Sequence, residues 1–168
     1  MFRTPQTLRR LAGLIAVTLC VPLAAEPDAE AQDLANRANL AMAQEDWEKA
    51  DRLLEEALEI ADDAPELWIG RGFTRQRLDR PEDARESLET ALELYKERVE
   101  EDPGNPGLVM NVGYTLVLLN RREDAVDYLE TAAENHPEQH AFQRFEEIVD
   151  GLEENFSEFI LPEENEDG

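Results

Sequence analysis

Cysteine and histidine are scarce in this sequence. The one cysteine is Cys20, and the two histidines are His136 and His140. Cys20 lies in an N-terminal segment that we expect to be removed, so thiol catalysis, thiolate metal sites and disulfides are excluded from the mature chain. Pro137 separates the histidines and no third ligand is in register, and the chain has no glycine-rich phosphate loop. We therefore predict no metal, no cofactor and no enzymatic activity.

Basic residues are few relative to acidic ones. The chain has 16 Lys and Arg against 40 Asp and Glu, a net charge of −24. Three of the basic residues and none of the acidic ones lie in residues 1–25, which leaves 13 basic and 40 acidic residues, a net charge of −27. Such a chain repels phosphate backbones and anionic membrane surfaces at long range. Nucleic acid is excluded as a partner, whereas a basic partner and a saline habitat both stay open as explanations.

Long apolar runs are absent apart from Leu11 to Ala25. This run follows Arg3, Arg9 and Arg10 and ends in small residues. It is shorter than the ~20 residues that a helix needs to span a bilayer, and it has the form of a secretory signal peptide. We predict a signal peptide at 1–25, a linker at 26–30, a periplasmic location and no membrane span in the mature chain. A lipid anchor and an uncleaved anchor are the alternatives.

What the sequence does contain is an internal repeat. Residues 67–94 align with residues 108–135 at an offset of 41, and the tetrapeptide Leu-Glu-Thr-Ala at 88–91 recurs at 129–132. A third copy lies upstream at an offset of 34. A period of this length is typical of a solenoid, in which each repeat is one supersecondary unit.

Each copy has two apolar-periodic stretches separated by a short polar break. Leu88, Ala91, Leu92 and Tyr95 follow the spacing i, i+3, i+4, i+7, which is one face of a helix. Pro81 fits the first turn of that helix, where its missing N–H costs nothing. One helix hairpin cannot bury both of its apolar faces, so neighbours must stack. The predicted fold is all-α, a right-handed α-solenoid of three helix hairpins with a C-terminal capping helix.

Small residues recur at fixed places in each hairpin. The second unit has the order Trp68, Gly72, Ala84, Leu88, Ala91, and the other two units repeat it. This order resembles the tetratricopeptide repeat (TPR) family over roughly residues 31–137. The resemblance implies close helix contacts at the small positions. The predicted packing residues are Ala38, Ala50, Ala57, Gly72, Ala84, Ala91, Gly113, Ala125 and Ala132.

The spacing also predicts the domain boundaries. The TPR domain at 31–152 divides into repeats at about 31–64, 65–105 and 106–137 and a capping helix at 138–152. Seven extra residues near 96–103 make nearly two helical turns, so the second helix of unit two can lengthen, and its charged extension should project into water. Residues 153–168 are an acidic tail, predicted to be partly disordered. Its Phe156, Phe159 and Ile160 either fold back on the capping helix or contact a partner.

In this family the first helix of each unit lines a concave groove that holds an extended peptide or a helix. The resemblance implies such a groove here, with asparagines for a bound main chain and aromatics for its side chains. The predicted groove residues are Asn36, Asn39, Met42, Phe73, Arg77, Met110, Asn111 and Tyr114. The alternative is that the aromatics pack on each other or on the capping helix. Ala35, Gly107 and Met110 stand where cations for a terminal carboxylate are expected, so recognition of a chaperone tail is not predicted.

Unit two carries a cluster of arginines: Arg71, Arg75, Arg77, Arg80 and Arg85. They either pair with local carboxylates or clasp the carboxylate of a partner, and Arg77 lies on the groove side. Arg37 and Arg71 stand where the family prefers an aliphatic residue, and Arg75 where it usually has an aromatic one. These departures bear on how tightly the first two hairpins pack.

The predicted function is a non-catalytic protein- or peptide-binding module of the bacterial cell envelope. It would act as an adaptor or assembly scaffold through its groove, with another protein or a peptide segment as the partner. One alternative is a structural scaffold that self-associates through the C-terminal helix and tail, as a homo-oligomer. Another is an accessory subunit of an envelope enzyme.

Overall fold

The computed structural model describes residues 29–138 and 144–162, and these residues form an all-α solenoid, as the repeats predict. The described residues contain seven helices and no strand. In chain order they are α1 (Ala29–Ala43), α2 (Trp47–Leu58), α3 (Pro65–Arg77), α4 (Pro81–Glu101), α5 (Pro106–Leu118), α6 (Arg122–Asn135) and α7 (Phe145–Phe156), followed by a 3₁₀ turn at Ser157–Phe159. Helices α1–α2, α3–α4 and α5–α6 pair as the three hairpins of the repeat.

The turn inside each hairpin has the same geometry. Glu45, Asp79 and Asn120 occupy the left-handed region, with φ of 59°, 58° and 59°. The next residue in each unit donates its N–H five residues back, as Arg80 N does to Arg75 O at 3.0 Å. This bond is typical of a Schellman helix end, which normally favours glycine at the left-handed position. The recurrence of one turn at offsets of 34 and 41 shows that the three hairpins are equivalent units.

Helix α4 is longer than its counterparts, as the inserted residues predict. It has 21 residues, against 12 in α2 and 14 in α6. The expectation that the extension projects into water is wrong for one of its sides. Arg98 donates to Asp63 O at 2.9 Å and to Glu66 Oε1 at 3.3 Å, and Val99 packs against the core. The extension therefore ties the end of α4 to the start of α3.

Small residues bring the paired helices together. Of the predicted packing residues, Ala132 is half-buried and the others are buried: Ala38, Ala50, Ala57, Gly72, Ala84, Ala91, Gly113 and Ala125. A Cβ placed on Gly72 would lie 2.8 Å from Leu88 Cγ, and one on Gly113 would lie 3.0 Å from Leu129 Cδ1. These two glycines are equivalent, and at both the facing leucine occupies the space that a side chain would need.

The core has two parts, and Trp68 packs against both. One part belongs to unit one and extends to Leu67, and the other joins units two and three with α7 and the C-terminal residues. Arg71 and Arg75 lie at the contact between units one and two. Their equivalents at the next contact are the buried, apolar Val112 and Leu116. The first interface therefore combines apolar contacts of Leu67 and Trp68 with charged side chains, whereas apolar side chains occupy the equivalent of those charged positions in the second.

The C-terminal boundaries differ from the prediction. The capping helix expected at 138–152 is observed as α7, Phe145–Phe156, with Glu138 and Arg144 in turns and residues 139–143 outside the described part. It extends into the segment predicted as tail because its last residue, Phe156, packs against Tyr114. Arg122 of α6 holds α7 through Asp150 and Glu153. The predicted signal peptide, residues 26–28 of the linker and tail residues 163–168 lie outside the described residues.

We expect the buried phenol of Tyr95 to make the folded chain less stable at alkaline pH. Burial raises the pKa of Tyr95, and Glu66, which accepts a hydrogen bond from it at 3.3 Å, raises it further. Below pH ~10 the phenol is neutral in both the folded and the unfolded chain, so pH does not change the stability through this group. Above pH ~10 the phenol ionises in the unfolded chain but stays neutral in the folded one, which favours unfolding. The unfolding free energy should then fall by about 1.4 kcal/mol per pH unit for this group. Urea unfolding between pH 8 and pH ~11 should show a shallower fall for Tyr95→Phe, and equal slopes would contradict the assignment.

Candidate functional site

We call the side of α1, α3 and α5 that carries Asn39, Phe73 and Tyr114 the inner surface, after the groove that the TPR resemblance implies. Asn39, Phe73 and Tyr114 occupy equivalent positions on these helices. The rings of Phe73 and Tyr114 are neighbours, with centroids 6.4 Å apart in an edge-to-face arrangement. Burial raises the pKa of Tyr114, so its phenol is neutral throughout the physiological range. The inner surface is thus polar on α1 and aromatic on α3 and α5.

On α1 the predicted groove residues lie at the surface. Asn36 and Asn39 are exposed, and Asn36 Oδ1 accepts from Gln32 Nε2 at 3.3 Å. Met42 is half-buried at the contact with α3, where Thr74 Oγ1 lies 3.3 Å from its sulfur. The two asparagine amides are therefore accessible to a bound main chain.

On α5 the outcome is different. Asn111, the equivalent of Asn36, is only 6% exposed, so its side chain does not present an amide to a ligand. Met110 is half-buried and packs against the core of units two and three. Helix α7 packs against α5. The predicted use of Asn111 as a groove amide is thus not supported by its burial.

The remaining groove residues contact the C-terminal part of the chain. We define Phe156–Pro162 as the tail segment. Phe159 lies on Phe73 with centroids 4.7 Å apart, and Phe156 lies on Tyr114 at 5.0 Å. The tail aromatics do fold back, but onto the inner surface of α3 and α5. The prediction that Phe73 and Tyr114 line an open groove is therefore wrong for this conformation, because the chain covers them itself.

Polar contacts fix the tail segment as well. Gln76 Nε2 donates to Ile160 O at 3.4 Å, Leu161 N donates to Leu118 O at 2.9 Å, and Arg85 Nη2 donates to Pro162 O at 2.9 Å. Ile160 has extended backbone angles, φ −71° and ψ 129°. The Leu161 side chain is 1% exposed. The end of the tail segment is thus an extended chain held through its main chain and one buried leucine.

Arg77 lies at the edge of this contact. Its guanidinium is 3.3 Å from Glu158 Oε2 of the tail segment and 5.1 Å from the centre of the Trp47 ring in unit one. Arg77 therefore connects α3 to both unit one and the tail segment.

The other arginines of the cluster are used mainly within the fold. The carboxylate of Asp51 on α2 forms ion pairs with three arginines. Its oxygens lie 3.3 Å from Arg71 Nε, 3.6 Å from Arg75 Nε and 3.1 Å from Arg80 Nη1. Arg71 also pairs with Glu55 at 2.6 Å. This arrangement favours local pairing, the first of the two interpretations of the cluster.

Arg75 shows how the fold accommodates a cation where the family usually has an aromatic residue. It is 8% exposed, and its Nη1 donates to Ser87 Oγ at 2.8 Å and to Asp83 O at 3.0 Å. Burial lowers the pKa of Arg75 and neighbouring Arg71 lowers it further, whereas Asp51 and Asp83 raise it. The guanidinium stays charged because an arginine pKa starts far above neutral pH. The hairpin is tightly packed around hydrogen bonds rather than around a ring.

Sequence reasoning did not find the residues that hold the main chain of the tail segment. These are Gln76, Arg85 and Leu118, which come from α3, α4 and α5. Gln76 follows Phe73 by three positions and so shares its helix face, and this phase is the one signal for it. Arg85 has a signal only as a member of the arginine cluster, and the carbonyl of Leu118 has none, because the role of both depends on where the tail segment lies.

Two further features concern metal and membrane. His136 Nδ1 lies 3.5 Å from Glu138 Oε1, and His140 is outside the described residues. Across residues 29–138 and 144–162 no three histidine, cysteine or acidic side chains are grouped to hold a metal ion. In the same ranges no helix combines the length and apolarity needed to cross a membrane.

Comparison with known proteins supports the TPR resemblance. The family model described as Tetratricopeptide repeat matches residues 34–67, from the middle of α1 into α3. Together with three equivalent hairpins and their buried small residues, this match defines an all-α solenoid of the TPR type. No curated protein matches the chain.

Several solved structures, among them TPR domains, are similar to the chain. The TPR domain of Sgt2 from Aspergillus fumigatus is 22% identical, with 88% of this chain and 95% of that one covered and a TM-score of 0.47. The TPR2B domain of yeast Sti1 is 16% identical, with 76% and 96% covered and a TM-score of 0.47. The Yersinia enterocolitica type III secretion chaperone SycD, solved with a peptide of the translocator YopD, is 16% identical, with 75% and 91% covered and a TM-score of 0.44. Similarity at this level carries no information on what the present chain binds.

Proposed function

We propose that this protein is a non-catalytic protein- or peptide-binding module of the bacterial cell envelope, where it acts as an adaptor or assembly scaffold. One observation carries the proposal: the surface of α3 and α5 holds the tail segment, a 3₁₀ turn followed by extended chain, through main-chain hydrogen bonds and tilted or edge-to-face ring contacts. A surface that can hold one extended segment in this way has the chemistry to hold another.

The α1 part of the inner surface extends the site. Asn36 and Asn39 are exposed there, next to Met42, and the tail segment contacts α3 and α5. A partner can therefore lie along α1 beside the tail segment, or along the whole inner surface once the tail segment moves. An asparagine amide offers both a donor and an acceptor to a main chain.

The self-association hypothesis is less well supported. It uses Phe156, Phe159 and Ile160 as a contact between copies, but the two rings pack against Phe73 and Tyr114 of the same chain and Ile160 packs against the same core. An envelope location is proposed from the sequence, since the basic start and the apolar run at 11–25 have the form of a signal peptide.

Photo-crosslinking in living cells tests the binding function. A probe at Asn39 should yield a discrete crosslinked product, whereas a probe at Glu56, exposed on α2, should not. Adding Phe73→Ala should weaken the Asn39 product about tenfold, the cost of losing an aromatic contact at the centre of an interface. The same products from both probe positions would rule out the inner surface as the binding site. Recovery of the protein in the periplasmic fraction, with the N-terminus at about residue 26, tests its export.

A further inference from the structure

We infer that the inner surface between α3 and α5 recognises an acidic–aromatic peptide segment, and that a partner segment resembling Phe156–Pro162 binds there by replacing the tail segment. This inference rests on the proposed function and deepens it, because it names the chemistry of the ligand. It is carried by the contacts that the tail segment makes.

Three positions of the tail segment meet complementary groups. Glu158 pairs with Arg77, the ring of Phe159 packs at a tilt against that of Phe73, and Leu161 fills a site that leaves it 1% exposed. A replacing segment needs the same order: a carboxylate, an aromatic ring one residue later, and an aliphatic side chain two residues after the ring. These groups select the sequence of the ligand.

The main-chain contacts do not select a sequence. Gln76 and Arg85 donate to carbonyls of the tail segment, and the carbonyl of Leu118 accepts from Leu161 N. Any extended segment presents the same groups at the same spacing, so a partner segment would retain these bonds. The side chains then supply specificity and the main chain supplies affinity.

Charge favours an acidic partner at this site, although the protein is strongly acidic. Arg77 of the arginine cluster pairs with the carboxylate of Glu158, whereas Arg85 of the same cluster contacts a main-chain carbonyl. Elsewhere the excess of carboxylates repels an acidic segment at long range. An acidic ligand is therefore directed to the arginine-bearing face of unit two.

The partial burial of the tail segment favours its displacement by a partner segment. Phe156, Phe159 and Ile160 are half-buried and Glu158 is exposed, so Leu161 is the one residue of this segment that opening removes from a fully buried site. Local opening of such terminal segments costs less than global unfolding. The tail segment nevertheless competes at an effective concentration on the order of millimolar, because it is tethered to its site. A partner segment should bind the intact chain weakly and a chain with a loosened tail segment more tightly.

The test uses the full chain and a fluorescein-labelled peptide of residues 153–162, with binding followed by fluorescence anisotropy. The wild-type chain should bind weakly, and the Phe159→Ser/Leu161→Ser chain should bind at least about tenfold more tightly. Adding Phe73→Ala to that chain should cost about tenfold in affinity, and a peptide with serine at both positions should not bind. Because the double variant removes one core residue, Glu158→Arg provides a second test: it changes only an exposed ion pair and should give a gain of a few-fold.

Two results would overturn the inference. One is that the loosened chains keep their helical circular dichroism but bind the peptide no better than the wild type. The other is a wild-type dimer in sedimentation experiments that Leu161→Ser abolishes, because the occupant would then be the tail segment of a second copy. This experiment and the photo-crosslinking test different claims. If the peptide binds but no crosslinked product forms in cells, the proposed envelope role is rejected. If a probe at Asn39 gives a product but the peptide does not bind, only the site for the acidic–aromatic segment is rejected.

Discussion

Replacing Asp51 with asparagine is expected to lower the free energy of unfolding by about 2–3 kcal/mol. Removing the charge of one partner from a buried ion pair leaves the other charge without compensation, at a typical cost of 3–5 kcal/mol. Here the cost should be smaller, because Asp51 is 17% exposed and the arginines keep other partners, Glu55 for Arg71 and Ser87 for Arg75. Asparagine preserves the size of the side chain, so the loss reports the charge.

The effect of Asp51→Asn should be concentrated in unit one. Arg71 and Arg75 come from α3 and Asp51 from α2, so their contact joins the first two units. Hydrogen exchange should therefore accelerate in α1 and α2 more than in α5 and α6. Glu55→Gln is the matched control: Glu55 is 58% exposed and contacts one arginine, so its change should cost less than about 1 kcal/mol. Urea unfolding that gives equal values for the two variants would exclude the shared role of Asp51.

The fold could be predicted from the sequence because the same information is present three times. Gly72 and Gly113 face Leu88 and Leu129 in the same way, and the left-handed turns recur at the same register. A mistake in one unit would be contradicted by the other two. The least accurate part of the prediction is accordingly α7, which has no counterpart in the repeats and begins at Phe145 instead of near residue 138.

The candidate site could be predicted in part. Helical phase places Phe73 and Tyr114 together, and their rings are indeed neighbours. The sequence offers a cover over them only as an alternative and does not place Phe159 on Phe73, because the two residues are far apart in the chain and no periodicity relates them. The same limit applies to Asp51, whose three arginine partners follow it by 20 to 29 positions. Pairings of this kind depend on how two units stack, which composition and spacing leave undetermined.

The contrast between the two unit interfaces has a consequence for stability. Val112 and Leu116 bury apolar surface where units two and three meet, whereas Arg71 and Arg75 fill the equivalent places between units one and two. A charged interface is strengthened less by apolar burial and depends on the geometry of its ion pairs. We therefore expect the attachment of unit one, which carries the exposed Asn36 and Asn39, to be more sensitive to a loss of charge than the contact between units two and three.

The second large effect concerns Leu88, which lies against Gly72. Leu88 is 1% exposed, and Leu88→Ala should cost about 3 kcal/mol through lost burial and the cavity left behind. Gly72→Ala should lower the free energy of unfolding by about 1–2 kcal/mol, because the steric cost of the added methyl group is larger than the stabilisation from the higher helix propensity of alanine. The nearest atoms to the new Cβ are Leu88 Cγ at 2.8 Å and Cδ2 at 2.9 Å. Cγ is not a free end of the side chain, so Leu88 must move as a whole to make room.

In a chain that already carries Leu88→Ala, Gly72→Ala should raise the free energy of unfolding instead of lowering it. With Leu88→Ala the clash is gone, so Gly72→Ala should then stabilise α3 by about 0.5–1 kcal/mol, and the two sites should show a coupling energy of about 2 kcal/mol. Gly70→Ala is the control, since its Cβ would meet only the terminal methyl groups of Leu54, at 3.3 Å and 3.6 Å, which can turn aside. It should be neutral or stabilising in both backgrounds. Urea unfolding of the wild type, the two single variants and the double variant measures this coupling energy. If the changes in the free energy of unfolding are additive, the small residue at position 72 does not set the approach of α3 to α4.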